Sequence, residues 1–461
     1  MKVEQLYTNC LAEAAYYIES DGEAAIIDPI RETEPYLQKL KSTGAKLNYV
    51  FETHFHADFV SGHIDLAKKT GAQIIFGPLA ETNYEVQNAK DGEVFSVGKI
   101  KIKTLHTPGH TPESSCYLLF DEKGKEHCIF TGDTLFIGDV GRPDLLDGKM
   151  SSAELASMMY DSLNNKIKTL PDAVIIYPAH GAGSSCGKNI SKETSSTLGQ
   201  QKKTNYALQK MSREDFIKAV TDGLSAPPQY FFKDAMINKT GYDNIDEVMK
   251  RNMKPLSPDE VKKEIANGAL VLDTRIPDLF EKRFIKGAVN IGLNGSYAIW
   301  IGTLIDITRP LVFVTQEGKE HESILRAARV GYEKVKGFLK GGITSWTNSG
   351  NPIDKIQSIT AGKFADTLKS EKQQVLDVRM PSEFETSHVK NAKHLELASL
   401  SKNISSLDKN KKYFVYCAGG YRSMIASSIL KANGFENVMN VHGGFNQIKN
   451  TDAPIEVSET V

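Results

Sequence analysis

One stretch of the chain occurs twice, and it constrains the fold more than any other feature. Val271-Leu272-Asp273-Thr274-Arg275-Ile276-Pro277 reappears as Val375-Leu376-Asp377-Val378-Arg379-Met380-Pro381. Phe280 and Phe384 keep the register, as do Ile285-Lys286 and Val389-Lys390. Later, Lys340-Gly341-Gly342-Ile343 matches His442-Gly443-Gly444-Phe445. Self-similarity at this spacing predicts two copies of an α/β unit of roughly 100 residues each. Each copy alternates short apolar runs with helix-period segments, so a small parallel sheet flanked by helices is expected in both. The full length of 461 residues leaves room upstream for a further domain, about three in all.

The copies differ where chemistry would sit. In the second, a strand over residues 412–416 runs into Cys417-Ala418-Gly419-Gly420-Tyr421-Arg422-Ser423, and a helix is expected over 424–433. A strand, a short loop that begins with Cys and a helix N-terminus form an anion cradle, because backbone N–H groups and the helix end favour a thiolate and bound oxyanions. The glycines let the backbone curl around the sulfur, and Arg422 can bind a sulfur oxyanion through paired hydrogen bonds. In the first copy the matching strand, 311–315, runs into Gln316-Glu317-Gly318-Lys319-Glu320-His321-Glu322. That loop has no nucleophile and would repel anions. The Asp-Val-Arg strand, the Cys-x-Gly-Gly-x-Arg-Ser loop and the late Gly-Gly resemble rhodanese domains. The resemblance implies that Cys417 is the persulfide-forming nucleophile of a sulfurtransferase, with Arg422 beside it, and that the first copy is catalytically inactive.

The upstream part carries its own chemistry in loops that follow apolar runs. Strands are expected over 14–18, 24–27, 47–51, 73–76 and 99–106, with helices over 35–42, ended by Gly44, and over 65–70. After 47–51 comes Thr53-His54-Phe55-His56-Ala57-Asp58. Then follow Thr107-Pro108-Gly109-His110, Thr131-Gly132-Asp133 and Tyr177-Pro178-Ala179-His180. Imidazoles and carboxylates at successive strand ends can converge on one point, and both are ligands for zinc or iron. The ordered set is His54, His56, Asp58, His110, Asp133 and His180.

These motifs together resemble the metallo-β-lactamase superfamily. The fold so implied is an αββα sandwich of two β-sheets flanked by helices, with the metal at one edge. Dinuclear hydrolases of that superfamily have His directly after the motif Asp; here the residue is Phe59, which cannot ligate. A single-metal site is therefore expected, and two histidines with one carboxylate suit non-haem Fe(II) and O₂ chemistry. The longer context, Thr53 to Gly62 with Gly141-Arg142-Pro143-Asp144, resembles persulfide dioxygenases. That resemblance implies Fe(II), one per chain, held by His54, His110 and Asp133. It leaves His56, Asp58 and His180 as neighbouring or alternative ligands and puts Arg142 near the substrate. The implied reaction takes a low-molecular-weight thiol persulfide and O₂ to the thiol and sulfite, with Cys417 passing a sulfane sulfur to sulfite to give thiosulfate, as in sulfide detoxification. The competing expectation is a zinc thioester hydrolase resembling glyoxalase II, which the six ligand-type residues would serve and Phe59 and the repeats would not.

Cys186, in Gly183-Ser184-Ser185-Cys186-Gly187-Lys188, admits two readings. It is either a small residue of a Gly/Ser loop or an exposed thiol near the metal, activated by Lys188 to hold a sulfane sulfur. Cys116 and Cys128 lie in strand-like runs and are expected in the core; Cys10 shows no partner. Five cysteines, odd in number and irregularly spaced, point to free thiols in a reducing cytoplasm. A net charge of −1 gives no reason to expect nucleic acid, and no apolar run approaches the roughly 20 residues of a membrane span. A homo-oligomer is expected. Helical stretches over 198–210, 213–221 and 233–253 form a connector closed by Pro255 and Pro258. The domains expected are therefore 1–254, 255–353 and 354–461.

Overall fold

The computed structural model describes residues 1–145, 150–224, 226–370 and 373–457. It contains two compact units: Met1–Val248 with Ala328–Gly331, and Met249–Ala327 with Tyr332–Val461.

The first unit is built on two six-stranded sheets. One takes its strands in chain order: Lys2–Thr8, Glu13–Ser20, Glu23–Ile27, Lys46–Phe51, Gln73–Phe76 and Gln87–Asn88. The other runs Ser196–Thr197, Ile175–Pro178, Glu126–Gly132, Ser115–Phe120, Ile100–His106 and Val94–Val97. Tyr16, Ile18, Ile27 and Phe51 of one sheet pack with Ile100, Ile102, Tyr117 and Phe130 of the other in a shared core. The outer face of the second sheet is covered by helices Ser152–Ser162 and Arg213–Thr221, through Ala156, Met159 and Phe216. Helices Glu34–Thr43 and His63–Thr70 accompany the first sheet. This is the αββα sandwich that the motifs implied. The strand Ile100–His106 buries alternate residues, and Gly44 ends its helix in the left-handed conformation, φ 73°.

Two connector elements differ from the sequence-based expectation. The helix expected over 198–210 stops at Thr204, because Asn205 turns its side chain to the Ala207 N–H and to the carbonyls of Phe136 and Asp139. The stretch 233–253 is two helices, Phe231–Thr240 and Ile245–Asn252, parted at Gly241 with φ 93°.

In the second unit each repeat forms a five-stranded parallel sheet. The first has the order Pro255–Leu256, Val335–Leu339, Leu311–Val314, Leu270–Asp273 and Val289–Asn290. The second has Gln357–Ile359, Val438–Val441, Tyr413–Tyr416, Gln374–Asp377 and Lys393–His394 in the same order. The repeated Asp-x-Arg closes on itself at a strand end: Arg275 Nη2 lies 2.6 Å from Asp273, and Arg379 Nη2 lies 2.6 Å from Asp377. Each arginine also donates to a carbonyl eight residues on, Arg283 or Ser387. The shared motif is thus a buried structural clasp. Asp273 faces Val314 and Asp377 faces Tyr416 in the two ladders, so Thr315 occupies in the first copy the position of Cys417 in the second.

Candidate metal centre and sulfur-carrier loop

Strand Lys46–Phe51 ends beneath a loop that is anchored before it reaches any metal ligand. Thr53 donates its N–H to Asp28 Oδ1 at 2.7 Å and its hydroxyl to Asp28 Oδ2 at 2.8 Å. With its own proton so directed, Thr53 Oγ1 accepts at 2.9 Å from His54 Nδ1. The Nδ1 proton leaves the Nε2 lone pair facing inward. His110 is set the same way, donating Nδ1–H to the Arg142 carbonyl at 2.8 Å. Asp133 accepts from His180 Nδ1 through Oδ1 at 2.8 Å and turns Oδ2 inward, 3.9 Å from His54 Nε2 and 3.5 Å from His110 Nε2.

These three groups are buried, and their ligand atoms lie within 4.8 Å of one another. His54 Nε2 and Asp133 Oδ2 have no hydrogen-bond partner among the described residues. Buried polar atoms without partners are costly, and an ion shared among them removes that cost. Metal–ligand bonds of about 2.1 Å put neighbouring ligand atoms about 3 Å apart, so small inward shifts close the set on one ion. The donor set, two imidazoles and one carboxylate, fits a facial triad that holds Fe(II) and leaves positions open. Burial, then the neighbouring His56, holds His54 well below the usual imidazole pKa, so it is neutral, as a ligand must be. Burial works against ionisation of Asp133, but His180 and His54 beside it hold its carboxyl well below the usual range.

Two glycines make this geometry possible. A Cβ on Gly132 would sit 2.5 Å from Thr53 Oγ1, and one on Gly141 would sit 2.1 Å from the Asp133 carbonyl oxygen and 3.0 Å from His110 Nδ1.

The remaining ligand-type residues are placed elsewhere. His180 is clasped between Asp58 Oδ2, 2.8 Å from Nε2, and Asp133 Oδ1. Burial opposes its charge, yet the two carboxylates raise its pKa well above the usual value. His56 turns toward another pair of acids, with Nε2 3.2 Å from Asp28 Oδ1 and 3.8 Å from Glu52 Oε2. Phe59, fully buried, packs against it with the rings tilted at 33° and a centroid distance of 4.3 Å.

Three expectations are corrected. Cys186 is not an exposed thiol: it is 1% exposed, and burial first, then Asp58 and Asp133, push its pKa well up. Lys188, the residue expected to activate it, gives its ammonium to the carbonyls of Ala219 and Asp222. Cys186 does lie within ligand distance of Asp58 and His180. Arg142 is 4% exposed, and its guanidinium grips Asp144 through two bonds at 2.6 and 2.7 Å. It therefore reaches the site through its backbone carbonyl on His110, not as an open anion-binding group. Cys10 has a partner, the Arg329 guanidinium at 3.2 Å.

Several supporting residues escaped the sequence reading. Asn238, on the connector helix Phe231–Thr240, donates to the carbonyls of His56 and Phe59 at 2.8 Å each and accepts from Ser61 N–H at 2.9 Å. No local pattern marks it. Asp28 was legible only as the end of an apolar run.

The carrier loop lies in the second repeat. Cys417 is 1% exposed; Gly420 N–H points at its Sγ at 3.1 Å, and Ser423 Oγ lies 3.6 Å away, itself held by Asn440 at 2.7 Å. A Cβ on Gly444 would sit 2.2 Å from the Cys417 carbonyl, which accounts for the late Gly-Gly. The helix begins at Tyr421, earlier than expected, because Gly420 caps it with φ 104°. Arg422 is engaged by Glu383 in a bidentate pair at 2.6 and 2.8 Å, so binding an oxyanion requires it to share or leave that partner.

Comparison with known proteins agrees with this geometry. The Metallo-beta-lactamase superfamily model matches residues 8–180, and the Rhodanese-like domain model matches 257–349 and 360–451. The chain belongs to the metallo-β-lactamase superfamily, and two rhodanese-like domains follow that fold. Over 213 residues it is 33% identical to the human mitochondrial persulfide dioxygenase ETHE1, covering 46% of this chain and 76% of that relative. Over 181 residues it is 34% identical to a probable hydroxyacylglutathione hydrolase of Schizosaccharomyces pombe, covering 39% of this chain and 66% of the relative. A crystal structure of a metallo-beta-lactamase from Staphylococcus aureus superposes with a TM-score of 0.65 at 31% identity, over 74% of this chain and 98% of that one.

Proposed function

We propose that the chain is an iron-dependent persulfide dioxygenase joined to a sulfurtransferase. The observation that carries this is a triad of two imidazole nitrogens and one carboxylate oxygen, His54, His110 and Asp133, with Phe59 where a second metal would need a ligand. Fe(II), held by these residues, would supply O₂ activation and sites for both reactants. The chain's own part is positional. Asp28 and Thr53 orient His54, the Arg142 carbonyl orients His110, His180 orients Asp133, and the buried surroundings limit water. The balanced reaction is RSSH + O₂ + H₂O → RSH + SO₃²⁻ + 2H⁺. In the second step sulfite attacks the outer sulfur of the Cys417 persulfide. The Sγ–S bond breaks, the new S–S bond forms thiosulfate, and the electron pair remains on Sγ as the thiolate.

The second reading, a zinc thioester hydrolase, is favoured by the fission-yeast relative. One experiment separates the two: metal analysis of the purified protein, then O₂ uptake by the iron-loaded protein with several thiol persulfides, with sulfite and thiosulfate both quantified. About one iron per chain with persulfide-dependent uptake is expected. Two zincs with thioesterase turnover and no O₂ uptake would overturn the proposal. The series of persulfides also identifies the thiol. The five cysteines are unpaired, which fits a reducing compartment such as the cytoplasm. Among the described residues no helix is long and apolar enough to cross a membrane. We expect a homo-oligomer, which light scattering tests.

A further inference from the structure

The helix that follows the carrier loop turns one stripe of residues toward the first, cysteine-less repeat. Tyr421, Met424 and Ser428 stand at i, i+3 and i+7, so they share a face. The Tyr421 phenol donates to the Gly292 carbonyl at 2.7 Å. Its ring lies so close on Gly295 that a Cβ there would sit 2.5 Å from Cζ and 2.7 Å from both Cε atoms. Met424, 1% exposed, is packed into the first repeat's own core with Val271, Val312 and Trp346. Ser428 Oγ accepts the Asn290 N–H at 2.9 Å, and Asn290 in turn donates to the carbonyls of Asp273 and Arg275, the first repeat's clasp. Tyr421 lies between two groups of the carrier loop. Before it is Gly420, whose N–H points at Cys417 Sγ; after it is Arg422. Gly420 holds a left-handed conformation, φ 104°, so the direction of its N–H depends on where the next residue is held.

We propose that the cysteine-less repeat is the platform that sets the register of the sulfur-carrying loop, and that Tyr421, seated on Gly292-Leu293-Asn294-Gly295, is its positioning residue. This rests on the reading of Cys417 as sulfur carrier. It gives the inactive copy a function: Thr315 has taken the nucleophile's position, while the glycine seat remains fitted to the partner repeat's ring. A side chain at Gly295 displaces the ring, tilts Gly420 N–H away from the sulfur and moves Arg422 with it.

The test uses the full-length iron-loaded protein, with rates of thiosulfate formation from sulfite referred to the Cys417 that loads with sulfane sulfur. A loss of folded protein then does not imitate a loss of positioning. Gly295→Ala is expected to lower kcat about tenfold to a hundredfold, as for displacements of about 1 Å at a reacting centre, with KM for sulfite raised as well because Arg422 moves with the loop. Tyr421→Phe, which removes only the hydrogen bond, should cost about twofold to tenfold. The decisive measurement is the coupling: in a Tyr421→Ala background, adding Gly295→Ala should cost less than about twofold more, because the ring it would strike is gone. Effects that multiply independently, or kcat within about twofold of wild type in both Tyr421→Ala and Gly295→Ala, overturn the platform. If Gly295→Ala does not fold, Tyr421→Phe and Tyr421→Ala carry the test. Cys417→Ser runs alongside: thiosulfate formation that survives in it defeats the carrier reading and the platform with it, whereas loss in Cys417→Ser with normal rates in the other variants defeats the platform alone.

Discussion

Asp28 touches no proposed metal ligand, yet its hydrogen bonds to Thr53 predict that it sets metal affinity. Both its oxygens accept from Thr53, at 2.7 and 2.8 Å, and the Thr53 hydroxyl then accepts from His54 Nδ1. In Asp28→Asn the shape is kept, but one acceptor becomes an NH₂ donor. If the amide oxygen keeps the Thr53 N–H, the NH₂ faces the Thr53 hydroxyl, which rotates and gives its proton to His54 Nδ1. His54 then carries its own proton on Nε2, the atom that must ligate. Restoring the binding tautomer leaves the buried amide N–H of the variant without its acceptor, about 1–3 kcal/mol. At 1.4 kcal/mol per decade that weakens Fe(II) binding by about one to two orders of magnitude. The assay is anaerobic competition for Fe(II) against a chelator of known affinity, with circular dichroism as the check on folding. A folded Asp28→Asn protein whose iron Kd stays within about twofold of wild type would refute the tautomer argument.

Three further outcomes follow from the same geometry. Cys417→Ser should abolish thiosulfate while sulfite accumulates in its place, read by separating the two anions; an unchanged thiosulfate yield counts against Cys417 as carrier. Phe59→His replaces the ring on His56 with a ligand next to Asp58, and metal analysis should move from about one toward two ions per chain; a ratio that stays at one places the block elsewhere. Glu383 is half-buried, and although burial raises its pKa, the hydrogen bond from Arg422 brings it below the usual carboxylate value. A depressed folded-state pKa stabilises above the unfolded value and loses that effect as pH falls through the folded one. Glu383→Gln should therefore cost about 1 kcal/mol at pH 7, discounted for partial exposure, and nothing once the pH has fallen through the depressed folded-state pKa and wild-type Glu383 is protonated; a difference that persists there, by urea unfolding, assigns the loss to packing.

How much of this was legible in the sequence follows from how each feature is encoded. The paired repeats were readable because self-similarity is written along the chain, and the sandwich because the loop motifs resemble those of a known superfamily. The six ligand-type residues were readable because each lies in a loop that follows an apolar run. Their division into ligands and supports came only with the family resemblance, because physically it depends on which atom of each ring finds a partner. His180 lies between Asp58 and Asp133, and His56 turns to Asp28 and Glu52; neither pairing follows from spacing. Cys186 misled because a Gly/Ser loop with a lysine looks open, whereas the loop folds inward and Arg142 N–H bonds the Cys186 carbonyl.

The same distinction explains why the connector cannot be dismissed as a spacer. Asn238 ties down the carbonyls of His56 and Phe59 and the N–H of Ser61, while Tyr242, beyond the Gly241 break, donates to the Ser61 carbonyl. Backbone bonds at Glu52, Thr53, Val60 and Gly62 tie the loop between strand Lys46–Phe51 and helix His63–Thr70 at its two ends, and these contacts from residues more than 170 positions away add partners at His56, Phe59 and Ser61. A metal ligand such as His54 needs its backbone fixed to within a fraction of an ångström. In this chain that precision comes from a helix whose sequence carries no metal-binding signature, so the metal centre includes the connector even though no ligand does.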